Sequence, residues 1–399
     1  MTENMLPIYL DYNATTPIAP EVRAAMLPYL EMHFGNPSSD HQYGHLAATA
    51  VSHARTQVAG LLGCHPGEVI FTGRGSESDN MALIGRIWAT THDRPHIITS
   101  VVEHPAILTT CRFLERRGVD VTYLPVDSFG QIDPDAVRAA LRPTTVVISI
   151  MHANNETGTL QPLNVIADIC RQAGVPLHTD ASQSVGKIAT QVDNLGVDLL
   201  TVAGHKLYAP KGIGALYIRD GLAIEPLIHG ASHEGGHRAG TENVPYIVGL
   251  GAAAELALNS LPEEGNRQVR LREHLYDLLS ADPGSITLSG HPTERLPNTL
   301  NVRFHGIDGN QLLEHTPSIA ASTGSACHAG HSEPSPVLLA MGIEPVDAIG
   351  AVRLSLGRPT TSGEIERVAR DLAMSARELR AKAPIHALTD EREHHLAGL

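Results

Sequence analysis

The chain has 399 residues, 42% of them hydrophobic and 18% charged, which is typical of a globular protein with one large and one smaller domain. Its formal net charge of −14 argues against direct nucleic-acid binding, because such a surface needs a basic face. The four cysteines are sparse and lack CxxC spacing, so they predict neither a disulfide framework nor a zinc ribbon.

Sparse cysteines fit a reducing compartment, and the first residues lack a basic segment followed by an apolar one. No apolar run is expected to have the length that a membrane span needs. We therefore expect a cytoplasmic protein without a signal peptide or membrane contact.

Strand-like and helix-like segments alternate through the first two thirds of the chain. Short β-rich runs predict strands at 67–73, 96–102, 120–126, 145–151, 175–180, 198–204 and 215–219. Helix-like segments between them indicate an α/β fold, with a mostly parallel sheet covered on both faces.

The alternation fades near residue 260, which predicts two domains. A large α/β domain is expected over 15–260, and a smaller α+β domain over 1–14 and 261–399. In the latter, strands are predicted at 298–304 and 350–356, and a helix from about Ser362, where Thr361 and Glu364 have the spacing of a capping box.

Polar residues follow five of the predicted strands, where ligands of parallel sheets usually bind. Singly, each is more often a helix cap or turn residue, and a lysine at a strand end is usually a surface lysine. Five such strand ends together are hard to explain as packing and favour a role for Lys206. The residues are Ser76, Glu77, His104, Asn155, Asp180, Gln183, His205 and Lys206.

A lysine, an aspartate, a histidine and a glycine–serine turn at a helix start are the groups that pyridoxal phosphate needs. The lysine attaches the cofactor covalently, and the aspartate keeps the ring nitrogen protonated. The imidazole stacks on the ring, and the helix N-terminus binds the phosphate. The sequence therefore predicts pyridoxal phosphate as cofactor and no metal.

Eight ordered motifs resemble those of the cysteine desulfurases, which are pyridoxal phosphate enzymes of the aminotransferase class V branch of fold type I. They are "YLDYNATTP", "FGNPSSDHQYG", "EHPA", "ANNETGTLQP", "HTDASQSVGK", "GHKLYAPKGIGALY", "RAGTENVP" and "VRLSLGR". The resemblance extends over about residues 8–380 and implies the fold of that branch, with the larger domain binding the cofactor.

The resemblance also implies roles for individual residues around the cofactor. Lys206 would attach it, Asp180 would meet the ring nitrogen, and His104 would stack on the ring and move protons. The other cofactor-binding positions are Asn155 and Gln183 at the phenolic oxygen, Gly75, Ser76 and His205 at the phosphate, and Thr241 reaching the phosphate of a neighbouring subunit. A homodimer is thereby implied.

Two positions match the family's substrate-carboxylate clamp, namely Arg353 with Asn36 assisting. Outside the family pattern, a structural ion pair is the commoner role for a lone arginine such as Arg353. Cys327 resembles the nucleophile on the loop of the longer-loop desulfurases, here about residues 322–336. The family implies that this thiol takes sulfur from L-cysteine as a persulfide, releases L-alanine and passes the sulfur to an acceptor protein.

The chain departs from the family pattern at several positions. The phosphate turn reads "GRGSE" with an unexplained Arg74, and Ala203 replaces a serine that binds phosphate. After Cys327 come His328, Ala329 and Gly330 in place of the usual small polar residues. These differences favour the desulfurase group that serves DNA phosphorothioation.

Alternative functions stay open on the sequence alone. Within the same cofactor class, a selenocysteine lyase or another aminotransferase-like enzyme is the main alternative. The segment "HEGGH", His233 to His237, has the spacing of a zinc protease, but its two glycines favour a turn over the helix which that site requires. A scaffold without activity is disfavoured because Lys206, Asp180, Arg353 and Cys327 are all present.

Overall fold

The computed structural model describes residues 6–282, 285–324, 327–328 and 331–382, and of 327–328 and 331–332 it describes only the backbone. The helices are α1 (Pro20–Glu31), α2 (Gln42–Leu62), α3 (Gly75–Trp88), α4 (Pro105–Glu115), α5 (Pro134–Ala140), α6 (Leu163–Ala173), α7 (Val192–Leu195), α8 (Val244–Leu279), α9 (Gly309–His315), α10 (Pro336–Ala340), α11 (Pro345–Ala348) and α12 (Ser362–Lys382).

The strands follow the same order along the chain. They are β1 (Ile8–Tyr9), β2 (Val69–Thr72), β3 (His96–Ser100), β4 (Asp120–Leu124), β5 (Thr145–Ser149), β6 (Leu177–Asp180), β7 (Leu199–Ala203), β8 (Gly214–Ile218), β9 (Ile286–Leu288), β10 (Thr299–Phe304), β11 (Ile319–Ala320), β12 (Cys327–His328), β13 (His331–Ser332) and β14 (Ala351–Ser355).

A seven-stranded sheet in the order β2-β8-β7-β6-β5-β3-β4 forms the centre of the molecule. Strand β8 runs antiparallel to both neighbours, and the pairs from β7 to β4 are parallel. Every residue of β7 is buried, as expected for a strand covered by helices on both faces. The predicted mostly parallel sheet covered by helices is confirmed.

Local signals in the sequence account for several helix ends. Helix α6 ends at Gly174, whose φ of 66° is a left-handed conformation that glycine adopts without strain. Before α12, the backbone N–H of Thr361 donates to the Glu364 carboxylate at 2.8 Å, and the Glu364 N–H donates to the Thr361 hydroxyl at 3.3 Å. The predicted capping box is therefore formed.

A second sheet of three antiparallel strands has the order β14-β10-β9. Its core includes Leu300, Val302, Val352 and Leu354, which pack with Leu372 of α12. The predicted strands at 298–304 and 350–356 correspond to β10 and β14, whereas the short β9 was not predicted. The domain boundaries stay a prediction, and helix α8 continues through the proposed boundary at residue 260.

Helix α8 corrects the expectation about apolar length, because it is long and apolar enough to cross a membrane by length and composition alone. The helix packs against α1, α2 and α12, and 44% of its most apolar window is buried inside the protein. Its buried face includes Ile247, Leu250, Ala254 and Ala257. A helix that packs against several others needs such an apolar surface.

Candidate active site

A cavity of about 420 Å³ lies where strands β2, β3, β5, β6 and β7 reach their carboxyl ends. This is the edge at which parallel sheets bind ligands. The predicted residues that line it are Gly75, Ser76, His104, Asn155, Asp180, Gln183, His205, Lys206 and Arg353. Tertiary structure thus brings together groups that are spread over almost 280 positions of sequence, as counted from Gly75 to Arg353.

Two residues predicted to bind the cofactor or the substrate do not line this cavity, and a third cannot be assigned to it from its backbone. Asn36 and Thr241 are exposed elsewhere, and the Asn36 side-chain oxygen accepts a hydrogen bond from Ser38 N at 2.9 Å. Cys327 begins the short strand β12, which pairs with β13, but its side chain lies outside the described residues. The roles of all three stay predictions.

Lys206 ends a short 3-10 turn, Gly204–Lys206, that directly follows strand β7. Its ammonium nitrogen donates to the backbone oxygen of Ala14 at 2.9 Å and also to that of Asn13. Burial, with a smaller contribution from the nearby Arg353 charge, lowers the pKa of Lys206 to about 8. A lysine amine held in this way is a better nucleophile near neutral pH than a solvated one.

An acidic pair and an imidazole lie together in the cavity. Polar atoms of Asp79, His104 and Asp180 all lie within 4.8 Å of one another. Burial lowers the pKa of His104, whose Nδ1 accepts from Ala106 N at 3.1 Å as the cap of α4. A neutral imidazole can stack on a planar cationic ring, and a neighbouring acidic group can pair with the charge of that ring. The same three groups could also ligate a metal ion.

Asp79 is a cavity residue that the sequence interpretation missed. It lies on α3, is fully buried, and its pKa is raised by burial and by the neighbouring charge of Asp180. The signal was available in "SESDN", four residues beyond the glycine–serine turn, because one helical turn separates Gly75 from Asp79.

Arg353 of strand β14 also lines the cavity. Its guanidinium donates to the Asp11 carboxylate at 2.7 Å and to the Asn155 backbone oxygen at 2.9 Å. Among the described residues its buried Nε has no hydrogen-bond partner. Arg353 is thus both part of an ion pair and a cavity residue. The two roles considered from the sequence, a structural ion pair and a clamp for the substrate carboxylate, are therefore compatible.

Lys187 and Asn13 form a second polar cluster that the sequence interpretation missed. The Lys187 ammonium donates to the Gln183 side-chain oxygen at 3.0 Å and to the Asn13 side-chain oxygen at 3.1 Å. The Gln183 amide nitrogen then donates to the Asn13 backbone oxygen at 3.0 Å. These bonds fix which end of the Gln183 amide is oxygen and which is nitrogen.

The glycine–serine turn places the N-terminus of helix α3 at the cavity. Helix α3 begins at Gly75, directly behind strand β2, and a Cβ added to Gly75 would lie 3.1 Å from Ala203 Cβ and 3.2 Å from Ser182 Oγ. The predicted strand-end residue Glu77 does not line the cavity; it accepts from Gly73 N at 2.8 Å and from Arg238 at 3.0 Å. The helix N-terminus thus stays open beside Ser76 and His205.

These features fit pyridoxal phosphate. The cavity has the volume of a typical cofactor site, and its residues offer an amine, a carboxylate for a ring nitrogen and a helix N-terminus for a phosphate. Groups of this chemistry at the carboxyl edge of a mostly parallel sheet define a pyridoxal phosphate-dependent enzyme of fold type I.

The segment "HEGGH" does not form the helix that a zinc protease site requires. Glu234–Gly236 is a short 3-10 turn, with φ values of 49° at Glu234 and 64° at Gly235. The Glu234 carboxylate is buried and accepts two hydrogen bonds from Arg55, at 2.7 and 2.8 Å, and one from Phe71 N at 2.8 Å. The predicted turn is confirmed, and Glu234 has structural partners.

Comparison with known proteins agrees with this class. The aminotransferase class-V family matches residues 8–368, and the chain belongs to that family. A cysteine desulfurase IscS of Methanosarcina thermophila is 46% identical over 386 residues, covering 96% of this chain and 95% of that protein.

Two solved structures show the same fold. A NifS-like protein has a TM-score of 0.87 at 35% identity and covers 94% of this chain and 100% of its own. SspA in complex with cysteine has a TM-score of 0.79 at 38% identity, covering 88% and 98%. These matches confirm the predictions of fold type I, of pyridoxal phosphate as cofactor and of a cysteine desulfurase.

Proposed function

We propose that this chain converts L-cysteine to L-alanine and transfers the sulfur, as a persulfide on Cys327, to an acceptor protein. The observation that carries the proposal is the single cavity that contains Lys206, Asp180, His104 and Arg353. Relatives named cysteine desulfurase and a similar structure in complex with cysteine support the choice of substrate.

The cofactor would be held by residues of this chain in the following way. Lys206 would attach it, Asp180 would pair with its ring nitrogen, and His104 would lie against its ring. The remaining contacts are Asn155 and Gln183 at the phenolic oxygen, with Gly75, Ser76 and His205 at the phosphate. Bound pyridoxal phosphate supplies a ring that withdraws electrons from the substrate carbons.

Substrate binding and proton movement would depend on three side chains. The Arg353 guanidinium would bind the carboxylate of L-cysteine, assisted by Asn36. The Lys206 amine would take up the proton from the substrate Cα, which its lowered pKa of about 8 favours. His104, whose pKa burial lowers, would be neutral and able to accept a proton from a thiol.

The sulfur transfer would be a nucleophilic attack by the Cys327 thiolate on the sulfur of the substrate. The Cys327 thiolate attacks the cysteine sulfur, an S–S bond forms, and the C–S bond breaks with its electron pair left on the substrate. The former Cβ gains a proton, so that L-cysteine and the Cys327 thiol become L-alanine and the persulfide. No external oxidant or reductant is needed for this step.

A homodimer is part of the proposal. Thr241 is exposed and away from the cavity of its own chain, as expected for a residue that would reach a partner's phosphate. Exposed apolar side chains cluster around the end of α1 and the start of α2, and they offer a surface for association: Leu30, Met32, Phe34 and Tyr43.

For the acceptor pathway, "SACHAG" and "GRGSE" favour DNA phosphorothioate modification, with iron–sulfur assembly as the alternative. The acidic chain would pass sulfur to a protein in the cytoplasm and not bind the DNA itself. Deleting the gene in its host distinguishes the two. Loss of phosphorothioate from genomic DNA supports the first, and loss of iron–sulfur enzyme activity with unchanged phosphorothioate supports the second.

The experiment that tests the proposed reaction uses the purified protein. We expect absorbance near about 400 nm from the bound cofactor, a spectral change with L-cysteine, and equal sulfide and alanine when a reductant is present. The variant Cys327→Ser should lose sulfide production but keep the spectral change.

Three outcomes would contradict the proposal. A colourless protein that pyridoxal phosphate cannot reconstitute would exclude the cofactor role of Lys206. Undiminished desulfuration by Cys327→Ser would exclude the persulfide, and activity with selenocysteine alone would identify the selenocysteine lyase alternative.

A further inference from the structure

Glu156 is a buried carboxyl group next to the cavity that the proposed reaction does not use. It follows Asn155 in the turn after strand β5 and is 7% exposed. Its backbone N–H donates to the Asn154 side chain at 2.9 Å, and its backbone oxygen accepts from Asn301 Nδ2 at 3.3 Å. The backbone of Glu156 is therefore fixed relative to the cavity edge.

The Glu156 side chain contacts the chain on the carboxyl side of the Cys327 hairpin. Ser335 Oγ donates to Glu156 Oε2 at 2.5 Å. The same Ser335 oxygen caps helix α10 by accepting from Val337 N at 3.2 Å and from Leu338 N at 3.3 Å. Ser335 is completely buried, so this bond is shielded from water.

The same carboxyl oxygen also meets the chain on the amino side of the hairpin. A Cβ added to Gly324 would lie 2.6 Å from Glu156 Oε2, and Gly324 has a φ of 71° that favours glycine. Gly324 N donates to Ser322 Oγ at 3.2 Å, and the backbone of Ser322 pairs with that of Arg353. The approach leaves no room for a larger residue at Gly324.

The Glu156 carboxyl group thus bonds to Ser335 and lies close to Gly324, on the two sides of a segment whose backbone forms the pair β12–β13, with Cys327 opposite Ser332. Glu156 is also linked to the substrate side of the cavity, because Arg353 donates to the backbone oxygen of the preceding Asn155 at 2.9 Å. Burial raises the pKa of Glu156 to about 7, while the Ser335 hydrogen bond and the Arg353 charge lower it.

We propose that Glu156 is a positioning residue that, through its hydrogen bond to Ser335 and its close approach to Gly324, holds the two described flanks of the segment carrying Cys327 and thereby sets the rate at which Cys327 accepts sulfur. This inference rests on the proposed persulfide role of Cys327. It concerns only the sulfur-transfer step, since Glu156 does not line the cavity that binds the cofactor.

The test separates cysteine binding from sulfur transfer in a single turnover of the holoenzyme. One measurement is the spectral change of the bound cofactor after rapid mixing with L-cysteine. The other is the rate of persulfide formation on Cys327, followed by alkylation and mass spectrometry. In Glu156→Ala we expect the same spectral change as in the wild type, and persulfide formation slowed about 10- to 100-fold. A displacement of a reacting group by about 1 Å has effects of that size.

Matched variants distinguish positioning from general destabilisation. Glu156→Gln keeps an oxygen that can accept from Ser335 and should restore most of the rate, whereas Ser335→Ala should show the same selective loss as Glu156→Ala. Val368→Ala, in the core of the second sheet, is the control for lowered stability and should slow neither step.

Persulfide formation at the wild-type rate in Glu156→Ala would overturn the inference, and so would a parallel loss of cofactor binding and both steps. If the wild-type enzyme desulfurates cysteine without any persulfide on Cys327, the proposed function itself fails. The two failures are therefore distinguishable.

Discussion

At the scale of single residues, the environment of Lys206 decides its chemistry. A lysine at the end of a strand is ordinarily solvated and cationic, but here the side chain is half-buried and its ammonium donates to backbone oxygens of Asn13 and Ala14. Removal from water disfavours the charged form, which is why the pKa falls to about 8. The neutral amine that would react with a carbonyl group is therefore populated near physiological pH.

The lowered pKa predicts how cofactor attachment depends on pH. Below a pKa of about 8, the neutral fraction of Lys206 rises with pH, and above that value it is nearly complete. The rate at which the apoprotein takes up pyridoxal phosphate should therefore rise about tenfold per pH unit below the pKa and then level off.

Stopped-flow absorbance measures that rate, and Lys206→Ala is the control that should show no attachment at any pH. A plateau that begins only near pH 10, where a solvated lysine titrates, would contradict the lowered pKa.

At the scale of elements, the turn that contains Glu234 has the residue spacing of a zinc protease motif but not the helix that such a site requires. The turn is joined to strand β2, because the Glu234 carboxylate accepts from Phe71 N and from the Arg55 guanidinium, which also stacks on the Phe71 ring at 4.7 Å. The side chain of Glu234 is 3% exposed. This carboxylate therefore connects helix α2, strand β2 and the turn before α8.

We predict that Glu234→Gln lowers the free energy of unfolding by about 3 kcal/mol, because it leaves the partly buried Arg55 charge without its counter-charge. Urea denaturation of the holoenzyme measures the change. Glu255→Gln is a suitable control, since the exposed Glu255 carboxylate of α8 accepts a solvent-exposed hydrogen bond from Gln57 of α2 at 2.9 Å.

Zinc content and hydrolase activity should be unaffected by Glu234→Gln. Unchanged stability, together with loss of a zinc-dependent hydrolysis, would instead support the metal site suggested by the spacing of His233 and His237.

At the scale of the whole molecule, the proposed homodimer concerns Thr241, which was assigned to the cavity of a neighbouring subunit. Asn36 and Thr241 are both exposed and lie outside the described cavity lining. In the proposed homodimer, the partner subunit's Thr241 would reach the phosphate end of this cavity.

We expect light scattering to give twice the chain mass of 42.6 kDa. Thr241→Val should weaken pyridoxal phosphate binding about tenfold, the effect expected for one hydrogen bond to a charged group. A control is Thr56→Val, because the Thr56 hydroxyl is exposed and bonds only to its own helix at Ser52. A monomer that binds the cofactor with unaltered affinity would contradict the dimeric site.

Much of the fold follows from patterns that act over short distances. Continuous apolar runs predicted the strands of the main sheet, and the Thr361–Glu364 pair predicted a helix start, because these signals act within one or two turns of chain. The short strand β9 escaped prediction, since three half-buried residues give little periodicity.

The sequence by itself determined the class of chemistry, because the polar residues after successive parallel strands must meet at one edge of the sheet. It did not determine Asp79, Lys187, Asp11 or Glu156, whose partners are distant in sequence and known only after folding. Tertiary structure alone decided that Arg353 belongs both to an ion pair and to the cavity, and that Glu156 bonds to Ser335 and lies close to Gly324. The physical reason is that burial and pairing depend on which distant segments pack together, and no local pattern encodes those contacts.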